Sequence, residues 1–102
     1  MTKLSENLPI EEARERLRQL IMELAVVRGH VVLASGKEAD YYVDLRRITL
    51  HHEASRLVGQ VMLDLLDKNG IEFEAAGGLT MGADPVGTAI MRAAGDQDRA
   101  ID

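Results

Sequence analysis

Two stretches of this chain hold residue types that handle anions. The first is Gly77-Gly78-Leu79-Thr80-Met81-Gly82-Ala83-Asp84-Pro85. Its glycines let a backbone come close to a charged group. A helix that starts there would offer free N–H groups and partial positive charge to a phosphate or carboxylate. The stretch is neither a Walker loop, which needs Gly-Lys-Ser/Thr, nor a dinucleotide fingerprint. On its residues alone it is an anion site or a tight strand-to-helix turn. The second stretch is Ser35-Gly36-Lys37-Glu38-Ala39-Asp40-Tyr41-Tyr42-Val43-Asp44-Leu45-Arg46-Arg47. It joins a flexible glycine, a cation, two neighbouring tyrosines and an acid beside a guanidinium. A flat anionic heterocycle could stack on a ring and be neutralised by Lys37 or Arg46. As a strand over residues 41–46 it would put Tyr41, Val43 and Leu45 on one face and Tyr42, Asp44 and Arg46 on the other. That arrangement suits a floor under a ligand, and equally a half-exposed hairpin.

The elements that must position these stretches follow from periodicity. Ala13, Leu17, Leu20, Ile21, Leu24 and Arg28 form a helical stripe. Pro9, Glu11 and Glu12 suit its start, and Gly29 its stop. Glu12 and Arg16 are spaced to pair across one turn. Val31-Val32-Leu33 reads as a strand that pairs with residues 41–46. Ala54, Leu57, Val58, Val61, Met62, Leu65 and Leu66 predict a buried helix from about His52 to Lys68, stopped by Asn69-Gly70. Phe73-Glu74-Ala75-Ala76-Gly77-Gly78 reads as a short core strand by its context. A third helix is expected from Asp84-Pro85, with Asp as cap and Pro in the first helical position. Ala100-Ile101-Asp102 reads as the opening of another strand. Strands that alternate with helices predict an α/β layer fold.

Composition narrows the function classes. The chain has 102 residues, 12 Lys+Arg against 17 Asp+Glu, and a formal net charge of −5. That balance argues against an unspecific nucleic-acid binder. There is no cysteine, hence no disulfide frame and no thiolate metal site. No apolar run reaches the roughly 18 residues of a membrane span. Met1-Thr2-Lys3-Leu4-Ser5-Glu6 lacks the apolar core of a signal peptide, so the cytoplasm is the expected compartment. His51-His52-Glu53 lacks zinc-site spacing and reads as a helix start. His30 reads as a surface residue. Met22, Met62, Met81 and Met91 read as packing residues, and Arg14, Arg16 and Arg18 as solvated.

The two motifs together are more specific than either alone. Ser35-Gly36, Asp40-Tyr41-Tyr42-Val43-Asp44-Leu45-Arg46 and the downstream Gly77–Pro85 stretch resemble orotate phosphoribosyltransferase of the actinobacterial form, from about Leu17 onward. The resemblance implies a type I phosphoribosyltransferase fold, a parallel-sheet core with a small hood over the base. It implies transfer of phosphoribose from phosphoribosyl pyrophosphate to N1 of orotate, with Mg²⁺ bridging phosphates, in a homodimer that binds neither nucleic acid nor membrane. Tyr42 and Val43 match the pair that lies along the orotate ring, with Lys37 and Arg46 as nearby cations. Thr80, Met81 and Gly82 match the loop that approaches pyrophosphate. A purine phosphoribosyltransferase and a non-catalytic nucleotide-sensing regulator of the same fold are the alternatives.

The resemblance also marks what to expect elsewhere. Many members carry a lysine directly before the Ser-Gly, where this chain has Ala34. The family's Arg-Lys catalytic loop and its two-acid, Thr/Gly-rich phosphoribosyl pyrophosphate motif are not in this sequence. They are expected after Asp102, so no catalytic residue and no metal ligand is assigned within the chain. Residues 1–47 are expected to form a first helix and hood hairpin, and residues 48–102 the start of the α/β core. Such a chain should be inactive alone and only marginally stable, since a small incomplete core buries little surface.

Overall fold

A computed structural model describes residues 7–102. The leader reading of residues 1–6 lies outside the described residues. The elements are α1 (Ile10–Leu20), a π-helical turn (Ile21–Ala25), β1 (Val26–Val32), β2 (Glu38–Val43), α2 (Arg46–Thr49), α3 (Ala54–Lys68) and α4 (Thr80–Asp96).

The first helix ends earlier than its apolar stripe suggests. β1 already starts at Val26, and Arg28 and Gly29 lie inside it. Val26-Val27 and Val31-Val32 are β-branched pairs that favour extended backbone. Gly29 is not a helix stop but a bulge residue at φ 122°. The pairing runs Arg28↔Tyr41 and then Val31↔Ala39, so β1 holds one extra residue there. β1 and β2 are antiparallel, with Val26↔Val43 and Val27↔Tyr42 at the end nearest the helices.

β2 stops at Val43 instead of running to Arg46. Asp44 is the physical reason. Its Oδ1 accepts the Arg46 backbone N–H at 3.3 Å and the Arg46 Nε–H at 3.2 Å. An aspartate that bonds its own backbone two residues on competes with the strand ladder, and the chain turns into α2. Arg46 therefore stands on a helical turn, and no strand face joins it to Tyr42.

The core has two parts. Ala13, Leu20, Ala25, Ile48, Ala54 and Leu57 are buried together, with Leu17, Ile21 and Leu24 packed on them. This cluster is the predicted stripe of the first helix, without Arg28. The other part is the seam between α3 and α4. A Cβ added at Gly59 would lie 2.1 Å from the Ala89 carbonyl oxygen, so the two backbones touch. His51 does mark the start of α3. Its Nδ1 accepts the N–H groups of Glu53 and Ala54 at 3.2 and 3.1 Å.

Arg16 is half-exposed, and it pairs with Glu53, not with Glu12. It grips Glu53 through two bonds of 2.7 and 2.9 Å and ties α1 to the start of α3. Arg18 pairs with Glu15 instead. Met22, Met81 and Met91 are exposed, not packed, while His30 lies at the surface as expected.

The sheet among the described residues is the two-stranded hairpin. Residues 73–78 are not a regular strand. The Ala76 N–H donates to the Asp102 carbonyl at 2.7 Å, and the Asp102 N–H to the Glu74 carbonyl at 3.1 Å. That is the slanted bonding of a parallel pair, with Ala75 beside Asp102. Arg99 braces this segment: it sits over the Phe73 ring at 5.8 Å and holds Asp67 through bonds of 3.1 and 2.9 Å.

Two outcomes follow for stability. Gly59→Ala should destabilise by about 2 kcal/mol or more, because a new Cβ forces the α3–α4 seam apart. Gly95→Ala, where a Cβ meets nothing within 4 Å, should be neutral or stabilising. Urea unfolding of both variants checks the pair. The Arg16 hydrogen bond holds the Glu53 carboxyl below its usual range. Its contribution is therefore complete above the unfolded carboxyl pKa and is lost as pH falls through the depressed folded value. Thermal melts between about pH 6 and pH 3 should drop less steeply in Arg16→Ala than in the parent.

Candidate functional site

The two anion-handling stretches fall on separate parts of the fold. Tyr42 and Val43 end β2, beside the helical body. They are 36% and 45% exposed. As consecutive strand residues they point to opposite faces. Tyr42 shares its face with Val27, and Val43 shares its own with Val26. The Asp44 N–H donates to the Ala25 carbonyl at 2.8 Å, so the polar groups of Asp44 and Tyr42 point toward β1. Alternation then turns the N–H and C=O of Val43 and Tyr41 to the outer edge of β2. A planar group that touches both Tyr42 and Val43 must lie along that edge.

Lys37 stands in the turn at the far end of the hairpin, where its carbonyl accepts the Leu33 N–H at 2.8 Å. Six strand residues separate it from Arg46 and α2, a span of about 20 Å. The structure does not bring these two cations together. Arg46 is bonded to Asp44, and Arg47 Nε lies 3.7 Å from the same carboxylate. The Arg46 hydrogen bond holds the Asp44 carboxyl below its ordinary range and raises the guanidinium in turn.

Thr80, Met81 and Gly82 are not a loop. They form the first turn of α4, which begins four residues before the expected Asp84 cap. The first N–H groups of a helix lack intrahelical acceptors, and here those groups belong to these residues. Their approach is open, with Leu79 and Met81 85% and 81% exposed. Gly78 lies beneath them, where a Cβ would sit 2.4 Å from that of Ala83. Asp84 is the carboxylate nearest in sequence. Among the described residues no group of three or more His, Cys, Asp or Glu is arranged to hold a metal. A single carboxylate is too few ligands for an all-protein cation cage; it fits Mg²⁺ only where waters and phosphate oxygens supply the other ligands.

Two clefts flank this turn. One, of about 390 Å³, lies outside α4 and is bordered by Thr49, Arg56, Asp84, Thr88 and Arg92. The other, of about 520 Å³, is apolar, with Met62, Leu66, Phe73, Gly77, Val86 and Ile90 around it. The sequence signal for the second was the pair of apolar helix stripes. Nothing in the sequence marked Arg56 and Arg92 as neighbours, because they come from different helices.

Comparison with known proteins gives these features a class. No family model matches the chain. It is 55% identical over 92 residues to the orotate phosphoribosyltransferase of Corynebacterium glutamicum, covering 90% of this chain and 49% of that one. Among solved structures it superposes on a Mycobacterium tuberculosis orotate phosphoribosyltransferase with a TM-score of 0.73 and 56% identity, over 79% of this chain and 47% of the other. The same enzyme in complex with 5-phospho-alpha-D-ribosyl 1-diphosphate gives a TM-score of 0.68 and 52% identity, over 79% and 46%. The fold is thus part of a type I phosphoribosyltransferase. By sequence the chain is similar to orotate phosphoribosyltransferases of actinobacteria, at 55–58% identity. It spans about half the length of the curated relatives it matches.

Proposed function

We propose that the chain supplies the base-binding and pyrophosphate-binding surfaces of an orotate phosphoribosyltransferase. In that reaction a bond forms between N1 of orotate and the ribose anomeric carbon. The bond from that carbon to pyrophosphate breaks, and orotidine monophosphate and pyrophosphate are the products. The observation that carries the reading is the 92-residue match, which in a chain of 102 must include both anion-handling stretches.

The geometry supports a division of labour. The outer edge of β2 offers the Val43 N–H and C=O to the ring edge of orotate, with Tyr42 alongside. The opening N–H groups of α4, at Thr80, Met81 and Gly82, donate to pyrophosphate oxygens, and the helix dipole favours negative charge there. A transition state with positive character at the ribose carbon gains most from held reactants and a stabilised leaving group. Asp84, the carboxylate beside this turn, would hold Mg²⁺ together with phosphate oxygens, and the ion would supply neutralisation of part of the phosphate charge. Lys37 and Arg46 serve as cations at the two ends of β2. Residues 1–47 act as hood and residues 48–102 as the start of the core.

The partners in this reading are orotate, phosphoribosyl pyrophosphate and a second copy of the chain, and the compartment is the cytoplasm. No helix among the described residues is long and apolar enough to cross a membrane.

The test combines binding and turnover. The 102-residue chain should form no orotidine monophosphate, because the groups expected to act on the ribose are not in its sequence. It should bind orotate with a change in tyrosine fluorescence, to which only Tyr41 and Tyr42 contribute. Tyr42→Ala should weaken that binding by about tenfold, the scale of one base–aromatic contact. Binding of adenine or xanthine with orotate inert would move the assignment to a purine enzyme.

A further inference from the structure

The head of α3 is capped by an imidazole. Side-chain oxygens of Ser, Thr, Asp or Asn ordinarily take the first free N–H groups of a helix. Here a ring nitrogen does so. His51 Nδ1 accepts the N–H groups of Glu53 and Ala54 at 3.2 and 3.1 Å. The His51 carbonyl accepts the next one, from Ser55, at 3.0 Å. Three consecutive donors at the start of α3 therefore end on one histidine.

An imidazole differs from the usual caps in one respect. It accepts at Nδ1 only while that nitrogen carries no proton. The two bonds thus require the neutral ring with its proton on Nε2. A proton on Nδ1 would set a donor against two donors. It would also place positive charge at the positive end of the α3 dipole. Hydroxyl and amide caps keep their charge between about pH 8 and pH 5, whereas histidine is the side chain that ordinarily changes charge there.

The groups around the ring do little to offset that loss. Glu23 of the π-helical turn and Arg46 and Arg47 of α2 border the same cleft as His51. The two arginines share Asp44. His52 stacks on His51 with ring centroids 4.2 Å apart. Arg16 of α1 holds Glu53. Glu23 and Glu53 would gain from a charged ring. Glu23 is exposed to solvent, where such a pair is weak, and Glu53 is already engaged. Arg46, Arg47 and His52 oppose the charge.

We propose that His51 is a pH-sensitive cap: its neutral ring holds the start of α3, and its protonation releases residues 50–53, the link from α2. The change is local. Leu57 and Ala54 stay in the core cluster, and Glu53 keeps its tie to Arg16. This link joins the hairpin, through α2, to the helical wall. When it loosens, the end of β2 is no longer set firmly against α3. The unfolded chain takes up the same proton without losing a bond, so stability falls as pH falls.

NMR of the isotopically labelled chain from about pH 8 to about pH 5 tests this, with thermal melts over the same range. At the upper end His51 should show the tautomer protonated at Nε2. As pH falls, its ring nitrogens and the amides of Glu53 and Ala54 should shift with one shared midpoint. The melting temperature should drop by about 5 °C, the scale of one lost cap. His51→Asn supplies a cap that does not titrate in this range and should lose most of that drop. His52→Ala should retain it. A proton on Nδ1 at the upper end would overturn the proposal, as would amides that do not follow the ring. So would a drop that persists in His51→Asn or vanishes in His52→Ala.

Discussion

The backbones of α3 and α4 meet at Gly59 and Ala89 with no room for a side chain between them, and the rest of the molecule is arranged around that contact. α3 is the common wall. On one side it receives α1, through the Arg16–Glu53 grip and the cluster that includes Ala54 and Leu57. On another it carries α4, whose first turn is exposed at Leu79 and Met81. Its start is fixed by His51, which also follows directly on α2 and the end of the hairpin. The edge of β2 and the start of α4 are therefore held in relation to each other through one helix. A shift at the seam would be felt at both surfaces, because close-packed interiors transmit displacement rather than absorb it.

Much of this was legible in the sequence where one local signal dominated. The α3 stripe is wide and its Asn69-Gly70 stop is strong, so its limits were read within two residues. The hairpin was also read from its residue types, although its strands run Val26–Val32 and Glu38–Val43, earlier than expected. Failures came where two local signals competed. The Gly29 stop gave way to the valine pairs on either side, and the glycine was absorbed as a bulge. Strand alternation through Arg46 gave way to the Asp44 side chain, which bonds its own backbone. The Asp84-Pro85 start gave way to an earlier one at Thr80. Residues 73–78 failed differently. A core strand is defined by its neighbours, and here its parallel partner is reduced to the single residue Asp102. Long-range pairs such as Arg16–Glu53 and Arg99–Asp67 leave no trace in periodicity at all.

The exposed apolar side chains have a consistent placement. Val32 lies on the hairpin, Leu45 and Leu50 on either side of α2, and Leu79 and Met81 at the start of α4. Scattered exposed leucines need no explanation. Leu79 and Met81 differ because they stand at the opening turn of α4, whose Gly82 and Ala83 also line the apolar cleft between α3, α4 and residues 71–77.

Charge gives the last constraint on the site. A chain of net charge −5 is assigned two anionic substrates, so its attraction for them cannot come from an overall field. Its local cations are also committed. Arg46 and Arg47 share Asp44, Arg16 is bound to Glu53, and Arg99 to Asp67. Lys37 stands at the end of the hairpin away from the helical body. Arg56, 4.0 Å from Asp96, and Arg92 border the cleft beside the first turn of α4, and alongside them stand main-chain groups: the outward N–H and C=O of Val43, and the N–H groups at the head of α4. The main-chain donors carry no counter-charge of their own and undergo no titration. They favour an anion only when it sits in contact with them, because helix-end effects fade within the first turn. In the proposed reading the conformation of residues 77–84 therefore decides which main-chain donors are directed at the anion, beside whatever charge the neighbouring arginines add.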